Sequence, residues 1–529
     1  MEKNVVIAIV LSMLVLFVWY GLFSPPPRRV QESVPQSASP APAAPYGESV
    51  KAPEKGIPSP SDKTDEISIE TGTSKITLTS KGARILNWYI KEPHQETDLI
   101  LSRAEDILPV DLKMDEARDL SGKIFGFAVR VNSKASTDRK IILKDGECAE
   151  ISFSYNLRGT TLSKIYTFRY DGYLQNVRLE ISNRRNEPVT FTNVSLTWCG
   201  GLGIDKPLLK ENMTTMKTLG LINGRLRRRL QLSSSYEGVE WLGLVNRYFI
   251  AAMVNRGQFP SGRIDKSNKV PLFELCQPSV TLASGGTQSY DIDLFVGPKN
   301  RKALNEAGGA LGRIINYGFF DFFGQIFLKI MNFFYGLTNN YGFAIILLTC
   351  VLQLVLFPLT KKSLKAAEDM KVIQPEMKML QEKYKHDPKR LNVEMMNLYK
   401  AKKVNPFGGC LPMLFQLPIF YVLFTMLRST YELRNAPFIF WIKDLSAKDP
   451  FYILPVLMGV SMLIQQRRTT VSADPSQART MMLMPVVFTF VFLSFPAGLV
   501  LYWLTNNILT LIEYAIIGKI SENQKRKAV

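Results

Sequence analysis

Residues 341–371 read YGFAIILLTCVLQLVLFPLTKKSLKAAEDMK. The stretch 341–360 carries no charged side chain. It is long enough to cross a hydrocarbon core of roughly 30 Å at about 1.5 Å per residue. From Lys361 the chain turns charged. Three more apolar stretches follow, at 411–430, 451–466 and 481–517. The last is too long for one span and holds Pro496-Ala497-Gly498, so it divides into 481–495 and 497–517. Near the start, Val5 to Phe23 is an uncharged run of 19 residues. That exceeds the apolar core of a cleaved signal peptide, about 7–15 residues, and reads as an uncleaved anchor. The expectation is six spans, with the first far from the other five.

The whole chain has 529 residues, 46% hydrophobic and 21% charged, which excludes a disordered or collagen-like polymer. Its net charge of +19 points to nucleic acid, ribosome or anionic lipid as partner. Five cysteines without a CxxC pair form no disulfide framework. Only two histidines, His94 and His386, exclude most His-based metal sites and catalytic triads. No catalytic residue, metal site, cofactor or small-molecule substrate is expected.

Lys/Arg bias in short loops sets orientation. The segment 361–403 holds twelve Lys/Arg against six Asp/Glu. Arg467, Arg468, Arg479 and the tail with Lys519, Lys525, Arg526 and Lys527 are also basic. The 431–450 loop balances Arg434, Lys443 and Lys448 with Glu432, Asp444 and Asp449. The basic segments belong in the cytoplasm. Both termini then lie inside and 24–340 outside.

Residues 24–64 hold ten prolines and read as an extended tether. From about 65 to 308, alternation takes over, as in AEISFSYNL, KIYTFRY and VRLEISN. Short alternating runs with turn signals predict an all-β sandwich. The apolar segment 236–254 is a core strand pair or a surface for a partner. In 309–340, Phe319, Phe322, Phe323, Phe327, Phe333 and Phe334 recur at helical spacing. That predicts an amphipathic helix lying in the outer membrane interface, or else a helix buried under the sandwich. Segment 361–403 predicts two amphipathic helices forming a hairpin, broken at Pro375 and Pro388. Its lysines, among them Lys361, Lys362, Lys400, Lys402 and Lys403, suit anionic headgroups or ribosomal RNA. The alternative is a solvated hairpin.

Polar residues inside the spans are costly and face a partner or a wet cavity. Thr349 and Gln353 share a face of the second span. Gln416 sits in the third span. In the last, Tyr502, Asn506 and Glu513 fall on one face, and Trp503, Asn507 and Thr510 on a neighbouring one. Together they line a hydrated groove, or they are hydrogen bonds that hold the bundle together.

The stretches KAKKVNPFGGCLPMLFQLPIFYVLF, DLSAKDPFYILPVLMG, MLMPVVFTFVFLSFPAGLVLYW and WLGLVNRYFIAAM resemble the YidC/Oxa/Alb membrane-protein insertases. The resemblance covers nearly the whole chain and is most specific over 341–517. It implies a multi-domain membrane protein of the Gram-negative inner membrane. The implied parts are an N-terminal anchor, a periplasmic β-supersandwich related to sugar-mutarotase folds, and a five-helix bundle with a cytoplasmic hairpin. It implies a groove open to cytoplasm and lipid, and a greasy slide on the third and last-but-one spans. Nascent membrane proteins, the Sec translocon and the ribosome are the implied partners, with the hairpin and basic tail making the contact. Where the family carries a groove arginine, this chain has Gln353. The competing readings are a solute transporter, for which no inverted repeat is found, and an anchored carbohydrate-binding protein.

Overall fold

The computed structural model describes residues 64–527 apart from 93–94, 102–107, 118–119, 204–214, 268–269, 406–410 and 470–474. The expected anchor at 1–23, the linker to residue 63 and His94 lie outside the described residues.

Residues 66–298 build three sheets of five, ten and five strands. Strand Thr160–Arg169 shows why. Its sequence alternates, and Leu162, Lys164, Tyr166 and Phe168 are buried while the residues between them are not. It pairs antiparallel with Cys148–Leu157 on one side and Leu174–Asn183 on the other, in the middle of the large sheet. One apolar core, including Trp88, Trp198, Phe153 and Phe168, lies between the sheets. The expected sandwich is therefore present.

A lysine occupies one of those inward positions. Lys164 is fully buried, and its ammonium donates to the carbonyls of Gly82 (2.9 Å), Ala83 (3.2 Å) and Val110 (2.7 Å). Gly82 and Ala83 both take positive φ, 70° and 50°, which defines the turn that supplies two of these acceptors. Tyr166 donates to Ala83 O at 2.7 Å. Asp111 and Arg84 are buried nearby, 4.0 Å apart. Burial draws Lys164 down to about 7, against the pull of the Asp111 carboxylate. The same burial raises Asp111.

The segment 236–254 forms strands Val239–Val245 and Phe249–Asn255, antiparallel neighbours in the large sheet. The reading as a core strand pair holds. Leu242, Leu244 and Met253 belong to the sandwich core. Trp241, Ile250 and Ala252 belong to a second core shared with the helices.

Among the described residues eight α-helices follow: α1 Arg301–Glu306, α2 Asp321–Thr338, α3 Tyr341–Lys383, α4 Pro388–Ala401, α5 Leu411–Ser429, α6 Ile453–Thr469, α7 Pro475–Phe492 and α8 Ala497–Lys527. The amphipathic helix is shorter than the sequence suggests. Positive φ at Gly308, Gly309, Ala310 and Gly318 interrupts the chain, so Phe319 precedes α2. Phe319, Phe322 and Phe333 are 82%, 71% and 64% exposed, which argues against burial under the sandwich. Asn340 caps α3 by accepting from the amides of Gly342 and Phe343.

The expected break at Pro375 is absent. Helix α3 runs 43 residues through Pro358 and Pro375, out of the apolar stretch and into one arm of the hairpin. A proline removes one backbone hydrogen bond. Here good helix formers flank it, and Ile373 and Met377 pack against Met395, Leu398 and Tyr399 of α4. The arms turn at 384–387, where Asp387 caps α4 and Pro388 takes its first turn. The division of 481–517 holds, with α7 ending at Phe492 and α8 starting at Ala497. Among the described residues, α3 and 497–518 of α8 are long and apolar enough to cross a membrane. The apolar stretches Phe415–Ser429, Ile453–Arg467 and Met482–Phe492 are shorter.

Sandwich and bundle share polar locks as well as the second core. Trp241 donates through Nε1 to Gly309 O at 2.8 Å. Arg434, from the loop between α5 and α6, meets Glu92 at 3.4 Å with both side chains almost fully buried. It also donates to Thr97 Oγ1 at 3.1 Å and lies over the Phe249 ring at 4.9 Å.

Two stability predictions follow from these buried charges. Lys164→Met leaves the Gly82 and Val110 carbonyls without this donor, while Ala83 O keeps Tyr166 OH, and should lower unfolding stability by about 3 kcal/mol, read by tryptophan fluorescence in urea. Lys164 binds its proton near 10.5 when unfolded and near 7 when folded. Stability should therefore fall as pH drops through that window and level off below it, and the variant should lack this slope. Arg434→Met leaves the buried Glu92 carboxylate without its counter-charge and should cost about 3–5 kcal/mol, with much of it recovered in the Glu92→Gln/Arg434→Met double variant. Equal melting of the single and double variants would contradict a coupled pair.

Candidate functional site

The bundle is packed differently at its two ends. Toward the sandwich, buried side chains are apolar: Ile345 and Leu348 of α3, Leu423 and Met426 of α5, Met458 of α6, and Val500 of α8. The loop 430–452 closes this end. Leu445 O and Ala447 O accept from the first amides of α8, at Gly498 (2.9 Å) and Ala497 (2.7 Å). Asp449 is buried and accepts from Trp441 Nε1 (3.0 Å), Phe451 N (3.0 Å) and Leu454 N (2.7 Å). One loop carboxylate thus satisfies the start of α6 and ties the loop to it.

Toward the hairpin, α3 and α8 bury a run of polar residues, next to the apolar Ile517 of α8. Gln353, Thr360, Ser363, Thr510 and Glu513 are each less than a tenth exposed. Gln353 Nε2 donates to Glu513 Oε2 at 2.9 Å and to Thr510 Oγ1 at 3.3 Å. Thr510 in turn donates to Asn506 O at 2.8 Å. A polar seam therefore joins the longest helix to the last one, whereas toward the sandwich the same two helices bury the apolar Ile345, Leu348, Leu499 and Val500.

The structure does not gather all the expected groove residues into one cluster. Thr349 is buried but donates to its own helix at Ile345 O, 2.7 Å away. Gln416 of α5 donates to Tyr502 OH at 2.6 Å. Asn507 turns to α6, donating to Ser461 Oγ at 2.9 Å. Trp503 sits among Phe420, Phe492 and Phe488, with ring centroids at 5.0, 5.2 and 6.4 Å. Tyr502, Asn506 and Glu513 share a face of α8 by spacing, but Tyr502 and Glu513 do not share a partner helix. Tyr502 serves α5, whereas Glu513 serves α3 a few turns further on, because each polar atom takes the nearest helix that offers a partner. The pairs Gln353–Glu513, Gln416–Tyr502 and Asn507–Ser461 link α8 to three different helices.

Apolar side chains line the outside of α5 and α7. Phe415 and Leu417 of α5 and Leu483 and Phe490 of α7 are 49%, 51%, 59% and 70% exposed. Gly459 of α6 faces Thr489 of α7 so closely that an added Cβ would lie 2.0 Å from its Oγ1, so the small residue permits this helix contact.

On the hairpin, Lys361, Lys362, Lys400, Lys402 and Lys403 are all exposed. Lys402 pairs with Glu376 on the other arm at 2.6 Å, so it braces the hairpin. The side chains of Lys525, Arg526 and Lys527 lie outside the described residues. Among the described residues no group of three His, Cys, Asp or Glu is placed to hold a metal ion. Sequence reasoning missed Arg434 as a lock, since its loop neighbours give no hint that Glu92 lies opposite.

Comparison with known proteins gives these parts a family. The model described as the 60Kd inner membrane protein matches residues 333–525, and that of the YidC periplasmic domain matches 66–330. A membrane protein insertase YidC from Endomicrobium trichonymphae is 36% identical over 98% of both chains. The one from Geobacter metallireducens is 34% identical over 98% of both. Among solved structures, an active YidC insertase aligns over 85% of this chain and 92% of its own, with 21% identity and a TM-score of 0.39. A GalM/aldose epimerase homologue from C. elegans aligns over 45% of this chain and 99% of its own, with 11% identity and a TM-score of 0.30. Structural likenesses at that level carry no argument of their own. The two family models and the full-length relatives do, and they show that the chain belongs to the YidC family of membrane-protein insertases.

Proposed function

We propose that this chain inserts membrane proteins into the bacterial inner membrane, alone or beside the Sec translocon. The observation that carries the proposal is the division of the bundle. It is apolar and sealed toward the sandwich, and polar toward the hairpin. A polar segment entering from the hairpin side meets the Gln353–Thr510–Glu513 seam instead of hydrocarbon. That lowers the cost of carrying it partway across, because its polar groups find partners. The apolar segment of the same substrate then leaves along the exposed surfaces of α5 and α7. Their apolar stretches are shorter than the roughly 20 residues that span a full bilayer core. A short stretch thins the surrounding lipid and shortens the crossing further.

In this reading α3, α5, α6, α7 and α8 supply five spans and residues 1–23 a sixth. Both termini and the hairpin lie in the cytoplasm, and the sandwich lies in the periplasm. Lys361, Lys362, Lys400 and Lys403 face the nascent chain, ribosome or anionic headgroups. The basic tail does the same. The chain moves polypeptide and performs no covalent chemistry.

The test is insertion of a short single-span protein into liposomes holding the purified full chain, read by protease protection. Protection should rise well above empty liposomes, and equal protection would overturn the proposal. A photo-crosslinker at Gln353 or Trp503 should capture the substrate span during synthesis. Silence at both, with the protein folded, would leave these residues as bundle contacts only. Gln353→Arg should keep insertion, because the guanidinium has the Glu513 carboxylate within reach. Gln353→Leu should lose about 1–3 kcal/mol of stability and most insertion, because Glu513 loses its donor.

A further inference from the structure

A hollow of about 700 Å³ opens where the sandwich meets α2. Arg228, Arg301 and Arg313 line it, together with Asn305, Asp321 and Gln325. None of the three guanidiniums pairs with a carboxylate among the described residues. Arg228 Nη2 donates to Arg313 O at 3.0 Å, and Arg301 Nη2 to Gln325 Oε1 at 2.7 Å. These contacts orient two of the arginines without neutralising either. Asp321 is the one carboxylate in the lining. Both its oxygens are engaged, by Tyr317 N at 2.8 Å and Gln325 Nε2 at 2.6 Å. The hollow thus carries a strong positive excess. Arg225, Arg227 and Arg229, exposed on the same sandwich hairpin as Arg228, extend it.

A neighbouring face of the same helix, about a quarter-turn round from Asp321 and Gln325, is greasy. Phe322 and Phe333 are three helical turns apart, share a face and are exposed, as is Phe319 just before the helix. An amphipathic helix with exposed phenylalanines lies at the level where headgroups meet acyl chains. That depth rests on the insertase reading above. It places the arginine-lined hollow at the height of phosphates and the phenylalanines beside the acyl chains. A soluble anion would use the first feature and leave the second unexplained. An acidic protein partner would leave the phenylalanines without a role.

We propose that this hollow binds the headgroup of an anionic phospholipid on the sandwich side of the membrane. Arg228, Arg301 and Arg313 hold the phosphate, and the acyl chains run along the phenylalanine face of α2. The bound lipid fastens the sandwich to the membrane surface beside α5, which Phe320 also touches through Tyr421.

The test is native mass spectrometry of the full chain released from detergent, counting retained phosphatidylglycerol against phosphatidylcholine. The wild-type chain should retain phosphatidylglycerol selectively. The triple variant Arg228→Gln/Arg301→Gln/Arg313→Gln should bind it on the order of a hundredfold more weakly, at about fivefold per arginine. Asp321→Asn removes the opposing charge but keeps a hydrogen-bond acceptor, so it should retain more lipid than wild type. Unchanged retention in a folded triple variant overturns the proposal. If the triple variant does not fold, unchanged or weaker retention by Asp321→Asn overturns it. Displacement by inorganic phosphate at concentrations matching the lipid's own affinity makes this a soluble phosphate site and also overturns it. Insertion into liposomes is measured on the same preparations. A wild-type chain that fails to insert yet keeps its lipid sinks the function and spares the site. A triple variant that retains lipid sinks the site and spares the function.

Discussion

Hydrocarbon offers no hydrogen-bond partner, and the helix bundle is organised by that single constraint. Every buried polar side chain in it has to find its partner within the protein. At the sandwich end the chain avoids the problem by burying apolar residues and settling loop polar groups through Asp449 and the first amides of α8. At the hairpin end it accepts the problem and answers it with Gln353, Thr510 and Glu513. A tightly packed apolar plug resists rearrangement because any gap loses contacts on both sides. A hydrogen-bonded pair is different. Its members can trade one partner for an equivalent one at small net cost. In the proposed function the hairpin end is therefore the end that admits polar groups, while the sandwich end stays shut.

The plug also depends on the sandwich above it. Trp241, Ile250 and Phe295 come from the large sheet, yet they share an apolar core with Leu423, Met426 and Leu499 from the bundle. Arg434 reaches up from the helical loop into the Glu92 and Thr97 pocket. Two charges buried together in this way gain little on balance, but separating them strands both. The junction therefore resists opening more than its contact area alone would suggest. The loop 430–452 is held from above by Arg434 and from below by α8, which fixes the seal.

Much of this was legible in the sequence, and the misses have physical causes. Period-two runs such as KIYTFRY gave the strands because side chains alternate across a sheet. The split at Pro496-Ala497-Gly498 was legible because backbone propensity and span length agree there. Pro375 misled for the opposite reason. Its local penalty is real, but packing of Ile373 and Met377 against α4 outweighs it, and packing is invisible in a linear pattern. Lys164 was invisible for the same reason. Its three acceptors come from residues about 50–80 positions away in the chain. Spacing placed Gln353, Gln416, Tyr502 and Asn507 in helices. It could not say which neighbouring helix each would address, since that depends on the rotation of helices about their axes.

Gln353 shows how the partner decides the meaning of a position. The resemblance to the family implies an arginine there, a fixed positive charge in the groove. In this chain the amide donates to Glu513, so a negative group sits where a positive one would be expected to act alone. An arginine at 353 would be largely neutralised by that carboxylate, and a glutamine leaves the seam with hydrogen-bonding capacity and no cation. Attraction of an acidic tail by charge is therefore not available at this depth. What remains is solvation: donors and acceptors that make the inner half of the bundle tolerable to polar groups of either sign. Charge is supplied elsewhere, by the exposed lysines of the hairpin at one end and the arginines around the α2 hollow at the other. In the proposed function the groove contributes partners and the two membrane surfaces contribute charge, and the separation of these roles follows from what each depth allows to be buried.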